Sequence, residues 1–385
     1  MVIFSKVAPS LSYVVRMLTG AIIGAFCLTL VEGSGSRKFV GNERLVLGAE
    51  KNLTASLRIG DLDGDGDNDV AVANGRHWPQ QNYVFFNQGR SRFNLKRPLG
   101  TDQATSYATE LADLDGDGDL DIAVGNDTAP NAIFLNDGNG RFDYNGTFGK
   151  PSSIRSLTLA DLDSDGDVDI LANARGRPNF IFYNDGKAGL TESRIFGNRS
   201  DSTIDVAVGD LNQDGYPDLI LANRDSQQNV VVLNDGRGGF DRRIPFGSGS
   251  DETRGVAVAD LNSDGRLDWI VCNIGQSNTV YLGDGTGGIL KTANFGRKDG
   301  ESYAIAVGDM NNDSLPDLIV GNRQQPNAVY LNTGDGLSFE EVQFGDNSET
   351  TYNLAIGDLD GDGFLDIAVA NSNGLNSIHL NRPAD

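Results

Sequence analysis

Asp61-Leu62-Asp63-Gly64-Asp65-Gly66-Asp67-Asn68-Asp69 is one copy of a segment that returns at Asp113, Asp161, Asp210, Asp260, Asp309 and Asp358. Its form is Asp-x-Asp/Asn-x-Asp-Gly-x-x-Asp, and the intervals are 52, 48, 49, 50, 49 and 49 residues. Length alone, 385 residues, suggests two or three domains. Seven copies at so even a period describe one array of stacked units instead.

The flanks of each copy repeat as well. Before the acidic segment comes a strand alternating bulky and small residues, such as Val206-Ala207-Val208-Gly209 or Ile305-Ala306-Val307-Gly308. A period of two with both faces apolar predicts a strand packed on both sides. A second apolar strand follows the loop (Leu219-Ile220-Leu221-Ala222), then a third (Asn327-Ala328-Val329-Tyr330-Leu331). A Gly-rich hairpin turn such as Asn234 to Gly239 leads to a more polar fourth strand ending in Phe-Gly, as at Phe246-Gly247. Four short antiparallel strands per unit of this length predict an all-β, seven-bladed β-propeller. The last unit stops at Ser377-Ile378-His379-Leu380-Asn381, after its third strand. The segment from Lys38 to Gly48 offers a spare fourth strand, so the N-terminal strand is expected to complete the last blade and close the ring.

Composition narrows the chemistry. A net charge of −23 argues against nucleic acid or an anionic membrane as partner, since both need a basic field. Two cysteines, Cys27 and Cys272, and two histidines, His77 and His379, exclude a disulfide framework and a Cys- or His-based metal centre. Residues 1–36 stand apart: Lys6 and Arg16 precede an apolar run from Met17 to Val31, followed by Glu32-Gly33-Ser34-Gly35-Ser36. This reads as a signal peptide, with Val31 and Gly33 at the −3 and −1 positions, or as an uncleaved signal anchor, the only route to a membrane. The expectation is export, with residues 37–385 forming the propeller.

Within each loop, side chains at positions 1, 3, 5 and 9 and the carbonyl at position 7 are spaced to converge on one hard cation. That set suits Ca²⁺ better than Mg²⁺, which prefers to keep several waters. The candidate ligands are Asp61, Asp63, Asp65, Asp67 and Asp69; Asp113, Asp115, Asp117, Asp119 and Asp121; Asp161, Asp163, Asp165, Asp167 and Asp169; Asp210, Asn212, Asp214, Tyr216 and Asp218; Asp260, Asn262, Asp264, Arg266 and Asp268; Asp309, Asn311, Asp313, Leu315 and Asp317; Asp358, Asp360, Asp362, Phe364 and Asp366. Gly at position 6 permits the sharp turn, and the sixth loop, with Ser314 there, is expected to bind more weakly. Carboxylates gathered this closely repel one another without a cation, so up to seven structural Ca²⁺ are expected. An EF-hand is excluded, because it needs Glu at position 12 and flanking helices.

With its Phe-Gly end and acidic loop, the unit resembles the FG-GAP (VCBS-type) repeat, best known from the integrin alpha-chain N-terminal propeller. The likeness spans residues 38–385. The resemblance implies a seven-bladed propeller with Ca²⁺ loops joining first and second strands on one face and ligand binding on the opposite face. Loops in every unit depart from the integrin pattern, which favours a free-standing secreted relative.

On that blade order the opposite face receives the residue six before each first aspartate: Ala55, Tyr107, Arg155, Ile204, Arg254, Tyr303 and Tyr352. It also receives Arg76, His77, Trp78, Arg175, Arg177, Arg224 and Arg323 from the second-to-third strand loops. Arginine forks suit carboxylate or sulfate and aromatic faces suit sugar rings; the same residues also suit bridges between blades. Three functions stay open. One is an extracellular module binding glycan or protein ligands. Another is a lyase or other carbohydrate-active enzyme on acidic glycans, with the arginines neutralising a uronate and Tyr107, Tyr303, Tyr352 or His77 as base and acid. The third is a structural or adhesive surface protein.

Overall fold

The computed structural model describes residues 36–190 and 192–384. The expected signal segment and Cys27 fall outside the described residues, apart from Ser36. Among the described residues every regular element is a strand, and the strands form seven antiparallel sheets. Blade 1 contains Thr54–Gly60, Asp69–Asn74, Gln80–Phe86 and Leu95–Ala104, paired in that order. Blades 2 to 6 repeat the plan, with inner strands Ser106–Ala112, Ile154–Ala160, Thr203–Gly209, Thr253–Ala259 and Ser302–Gly308. Blade 7 begins at Thr351–Gly357, whose inner strand packs against Thr54–Gly60 of blade 1 and closes the ring.

No single core exists. Seven apolar clusters each fill the gap between two adjacent blades. The alternation of the inner strands explains this division. In blade 4, Val206 and Val208 face blade 3, whereas Ala207 faces blade 5. Bulky residues thus lean on the preceding blade, and small residues admit the following one. At Gly209 a Cβ would stand 2.6 Å from the Leu267 side chain of blade 5, so glycine there lets that leucine pack close to the inner strand.

Asparagines tie the blades together on both faces. On the acidic-loop side, the Asn136, Asn184, Asn234, Asn332 and Asn381 amides donate to the position-2 carbonyls of the preceding blade, Leu62, Leu114, Leu162, Leu261 and Met310. Asn87 does the same to Leu359, spanning blades 1 and 7. Blade 5 has Gly283 at this place, and the Leu211 carbonyl instead accepts from the Gly287 N–H. On the other face Asn82, Asn179, Asn229 and Asn278 reach Ser106, Thr203, Thr253 and Ser302 of the next blade.

The seam is built as expected, with one correction. Instead of one continuous strand from Lys38 to Gly48, two short strands, Arg37–Val40 and Val46–Leu47, pair with Asn376–Pro383. The break follows from His379. A Cβ on Gly41 would lie 2.8 Å from its ring, so the chain loops around the imidazole before pairing again. His379 is buried against Phe344, and its Nε2 lies 3.1 Å from Ser377 Oγ. Burial holds its pKa down at about 4. A pKa lower in the folded than in the unfolded chain stabilises the fold above about pH 6.5, and this stability is lost as pH falls towards 4. Between pH 7 and 4.5 the protein is therefore expected to lose about 2–3 kcal/mol more than His379→Gln. Denaturant melts of both at the two pH values check this; equal losses would mean the imidazole is not held neutral.

Candidate functional site

The acidic loops lie between the first and second strands of every blade, all on one face. Their shape comes from the loop's own backbone N–H groups. Asp61 accepts from Gly64 N (2.8 Å) and Gly66 N (3.1 Å), and the same pattern recurs in blades 2, 3 and 7. Positions 4 and 6 both adopt positive φ. Position 6 is glycine except at Ser314, which takes φ 69°. Position 4 tolerates Ser164, Gln213, Ser263 and Asn312 at φ of 57–65°, a requirement that sequence reading missed.

Four loops bring carboxylates at positions 1, 3 and 9 within 4.8 Å of one another: Asp61/Asp63/Asp69, Asp113/Asp115/Asp121, Asp161/Asp163/Asp169 and Asp358/Asp360/Asp366. The position-5 side chains stand outside these triads and accept the position-7 N–H, as Asp65 does from Asp67 at 2.9 Å. In the other three loops position 3 is Asn, whose amide donates to the position-5 carboxylate: Asn212 to Asp214, Asn262 to Asp264 and Asn311 to Asp313. Arg382 lies across loop 7, paired with Asp360 and Asp362.

The ninth aspartates are the anchors. Each is fully buried and accepts two backbone N–H groups; Asp169 takes Leu162 N and Asn184 N, each at 2.9 Å. Burial nonetheless pushes Asp69, Asp169, Asp317 and Asp366 up to about 7 and Asp121, Asp218 and Asp268 up to about 6. Burial, then the position-5 carboxylate, raises Asp63, Asp115 and Asp163. Asp63 Oδ1 and Asp360 Oδ1 are buried with no hydrogen-bond donor. Orphaned carboxylate oxygens, and acids whose ionisation burial opposes, are what a bound cation would relieve, so these residues fit a metal ion.

Two substitutions in blade 3 separate ligand from scaffold. Asp161→Ala frees the exposed Ser164 and Gly166 N–H groups, a loss of about 1 kcal/mol without metal, and is expected to destabilise several times more when metal is present. Asp169→Ala strands two buried N–H groups and is expected to cost about 2–4 kcal/mol with or without chelator. Paired melts with and without EDTA read the difference; a chelator-insensitive Asp161→Ala would remove Asp161 from the ligand set.

The opposite face is shaped by a repeated irregularity. Each inner strand has a register shift near its start, between Thr54/Ser56, Ser106/Ala108, Ile154/Ser156, Thr203/Asp205, Thr253/Gly255, Ser302/Ala304 and Thr351/Asn353. The skipped residues are Ala55, Tyr107, Arg155, Ile204, Arg254, Tyr303 and Tyr352, the same seven marked by position in the sequence. A bulge re-aims its extra residue, and six of the seven, all but Ile204, line the mouth of the central channel. Deeper in, Arg58 of blade 1 clamps Glu110 of blade 2 through two hydrogen bonds, a pair the sequence reading did not single out.

Most of the expected ligand-face cations bridge loops or blades. Arg155 pairs with Asp127 at 3.0 Å, Arg224 with Glu252 at 3.1 Å and Arg323 with Glu301 at 3.9 Å, while Arg175 Nε meets Asp225 at 2.9 Å. Arg76 bonds Tyr352 Oη, Ser372 Oγ and His77. His77 also meets Tyr107 Oη at 3.0 Å, while Trp78 is 71% exposed. Burial raises Tyr107, and burial with Arg76 and Arg155 nearby lowers His77.

A family model described as FG-GAP-like repeat matches residues 61–124, 113–172, 210–271, 260–320 and 309–369, each match starting at the first aspartate of a loop. None of the curated proteins matches the sequence. Among solved structures, the chain is similar to BBS1N in complex with ARL6DN, soaked with mercury: 14% identity and a TM-score of 0.59, covering 90% of this chain and 97% of that one. It is also similar to the WD40 beta propeller domain of Doa1, at 13% identity and a TM-score of 0.57, covering 89% and 97%. Likeness at such identity shows the fold.

Proposed function

The chain belongs to the FG-GAP-like repeat family, and from that premise we propose that it is an exported, calcium-stabilised propeller that binds a protein ligand on the channel-mouth face. The observation that carries this reading is the division of labour between faces. Acidic loops suited to hard cations occupy one side, and five of the seven bulges aim a tyrosine or an arginine (Tyr107, Arg155, Arg254, Tyr303 and Tyr352) into the mouth on the other. Oxygen donors of this number and spacing favour Ca²⁺, with up to seven sites. The family's loops, an N-terminal segment of signal-peptide type and the acidic charge support a secreted or cell-surface setting. BBS1N, a propeller caught with ARL6DN, is a precedent for a protein ligand.

Binding is favoured over glycan lysis because the acid–base candidates are tied to protein partners: His77 lies between Arg76 and Tyr107 Oη, Tyr352 Oη accepts from Arg76, and Tyr303 Oη accepts from Arg323 at 3.0 Å. The test is affinity capture from extracellular fluid in Ca²⁺, with cross-linking of candidates, alongside an acidic glycan array. Trp78→Ala combined with Tyr352→Phe is expected to weaken capture at least tenfold, while Arg141→Gln in the hairpin turn before Phe142–Phe148 leaves it unchanged. Glycan binding without protein capture, or capture indifferent to the mouth substitutions, would overturn the reading.

A further inference from the structure

Of the six arginines that the structure resolves at the mouth with defined contacts, four face a carboxylate. Arg76 and Arg254 have none within ion-pair distance among the described residues. Arg76 is held by a hydroxyl cage and lies 4.0 Å over the Tyr352 ring. Arg254 makes no hydrogen bond among the described residues. It stands 5.6 Å from the Tyr303 ring and 5.7 Å from the Tyr352 ring, so the two guanidiniums share one aromatic neighbour. The closest acid to influence Arg254, Asp205, accepts the Val206 and Val256 N–H groups, each at 3.1 Å.

Arg58 provides the contrast. It is equally enclosed, and burial alone would lower its pKa, yet Glu110 more than offsets this and raises it. Burial pulls Arg254 down because no carboxylate pairs with it directly, and the nearby Tyr352 and Asp205 offset only part of the loss. A half-buried guanidinium with five donors and no acceptor is incomplete on its own. Beside it, Gly255 and Ala304 carry little or no side chain and border the channel cavity of about 40 Å³; of the acids that also line it, Glu110 is clamped by Arg58 and Asp205 accepts the Val206 and Val256 N–H groups. That space holds roughly three waters. It admits a carboxylate and is too small for a pyranose ring.

We propose that Arg254, assisted by Arg76 across Tyr352, is an anion subsite that receives one carboxylate from an acidic side chain of a protein ligand entering the channel mouth. The proposal rests on the reading that this face binds ligand and adds the chemistry that the ligand must bring. An Asp or Glu at the tip of a protein loop would form the bidentate fork that Arg58 makes with Glu110 inside the chain.

The probe is N-acetyl-aspartate N-methylamide, titrated calorimetrically into the calcium-loaded protein at constant ionic strength, with galacturonate as a second arm. Saturable binding of the aspartate probe is expected. Arg254→Gln should weaken it at least tenfold, Arg254→Lys by less, and Arg141→Gln less than twofold. Melting of each variant in Ca²⁺ checks folding; should Arg254→Gln not fold, Arg254→Lys and Arg76→Gln carry the comparison, each expected to weaken binding. No saturable binding, or binding indifferent to these changes, overturns the subsite. Galacturonate binding as tightly as the aspartate probe overturns the assignment to a protein carboxylate. Either failure leaves the capture experiment above free to succeed, so the two readings fail separately.

Discussion

Excess EDTA is expected to lower the melting temperature by more than about 15 °C, with recovery on adding Ca²⁺ and little recovery on adding Mg²⁺. A site held at a hundredfold excess of ion over its Kd contributes about 2.7 kcal/mol, and each kcal/mol moves the transition of a chain this large by roughly 2 °C. Four carboxylate triads alone therefore suffice for the effect. The physical basis lies in the ninth aspartates, buried and pushed up to about 6 or 7. The folded chain bears the cost of ionising them unless a cation shares the charge. Their neighbours transmit the loss: the Asn184 backbone N–H donates to Asp169, and the Asn184 amide donates to the Leu114 carbonyl in the preceding blade's loop. Single loops are expected to matter less than wholesale removal, and a transition unmoved by chelator would end the idea of structural metal.

Deleting residues 37–47 is expected to abolish the monomeric fold, leaving aggregate or a transition more than about 10 °C lower. The deletion bares the whole outer edge of Asn376–Pro383 and removes Phe39 and Leu47, both buried. Phe39 packs 5.9 Å from Phe344 of blade 6, so the lost strand also opens the neighbouring interface. Phe39→Ala alone is expected to cost about 3–5 kcal/mol. A peptide of residues 36–48 added in trans should restore part of the loss. Size-exclusion chromatography and melting of the deleted protein decide the matter: a monodisperse protein with an unchanged transition would mean that blade 7 stands without its outer strands.

The blade count, the acidic loops and the ring closure were legible because each is written locally, in spacing and in period. The mouth was legible only in position. Ala55, Tyr107, Ile204 and Arg254 share no chemistry, so nothing in the residues themselves announces a bulge; it arises from how Thr253 and Gly255 pair with the adjacent strand. The carboxylates facing Arg155, Arg175 and Arg224 sit in loops whose relative placement depends on closing the whole ring. The break at Gly41 required knowing that His379 would be its neighbour. The asparagine clasps did have a signal, an Asn 23 residues after most first aspartates, as at Asn136 and Asn184. Its meaning emerges only once the carbonyl across the gap is seen.

The bond from Arg37 Nε to Asn381 Oδ1 joins residues 344 positions apart. A ribosome releases the earlier of these long before the later exists, and six complete sheets can form in the interval. The leading segment must wait, unpaired and with Phe39 uncovered, until Asn376–Pro383 has been made. Newborn chains are thus expected to be most vulnerable to proteases and holdase chaperones at this segment, and a stalled ribosome would display an open crescent.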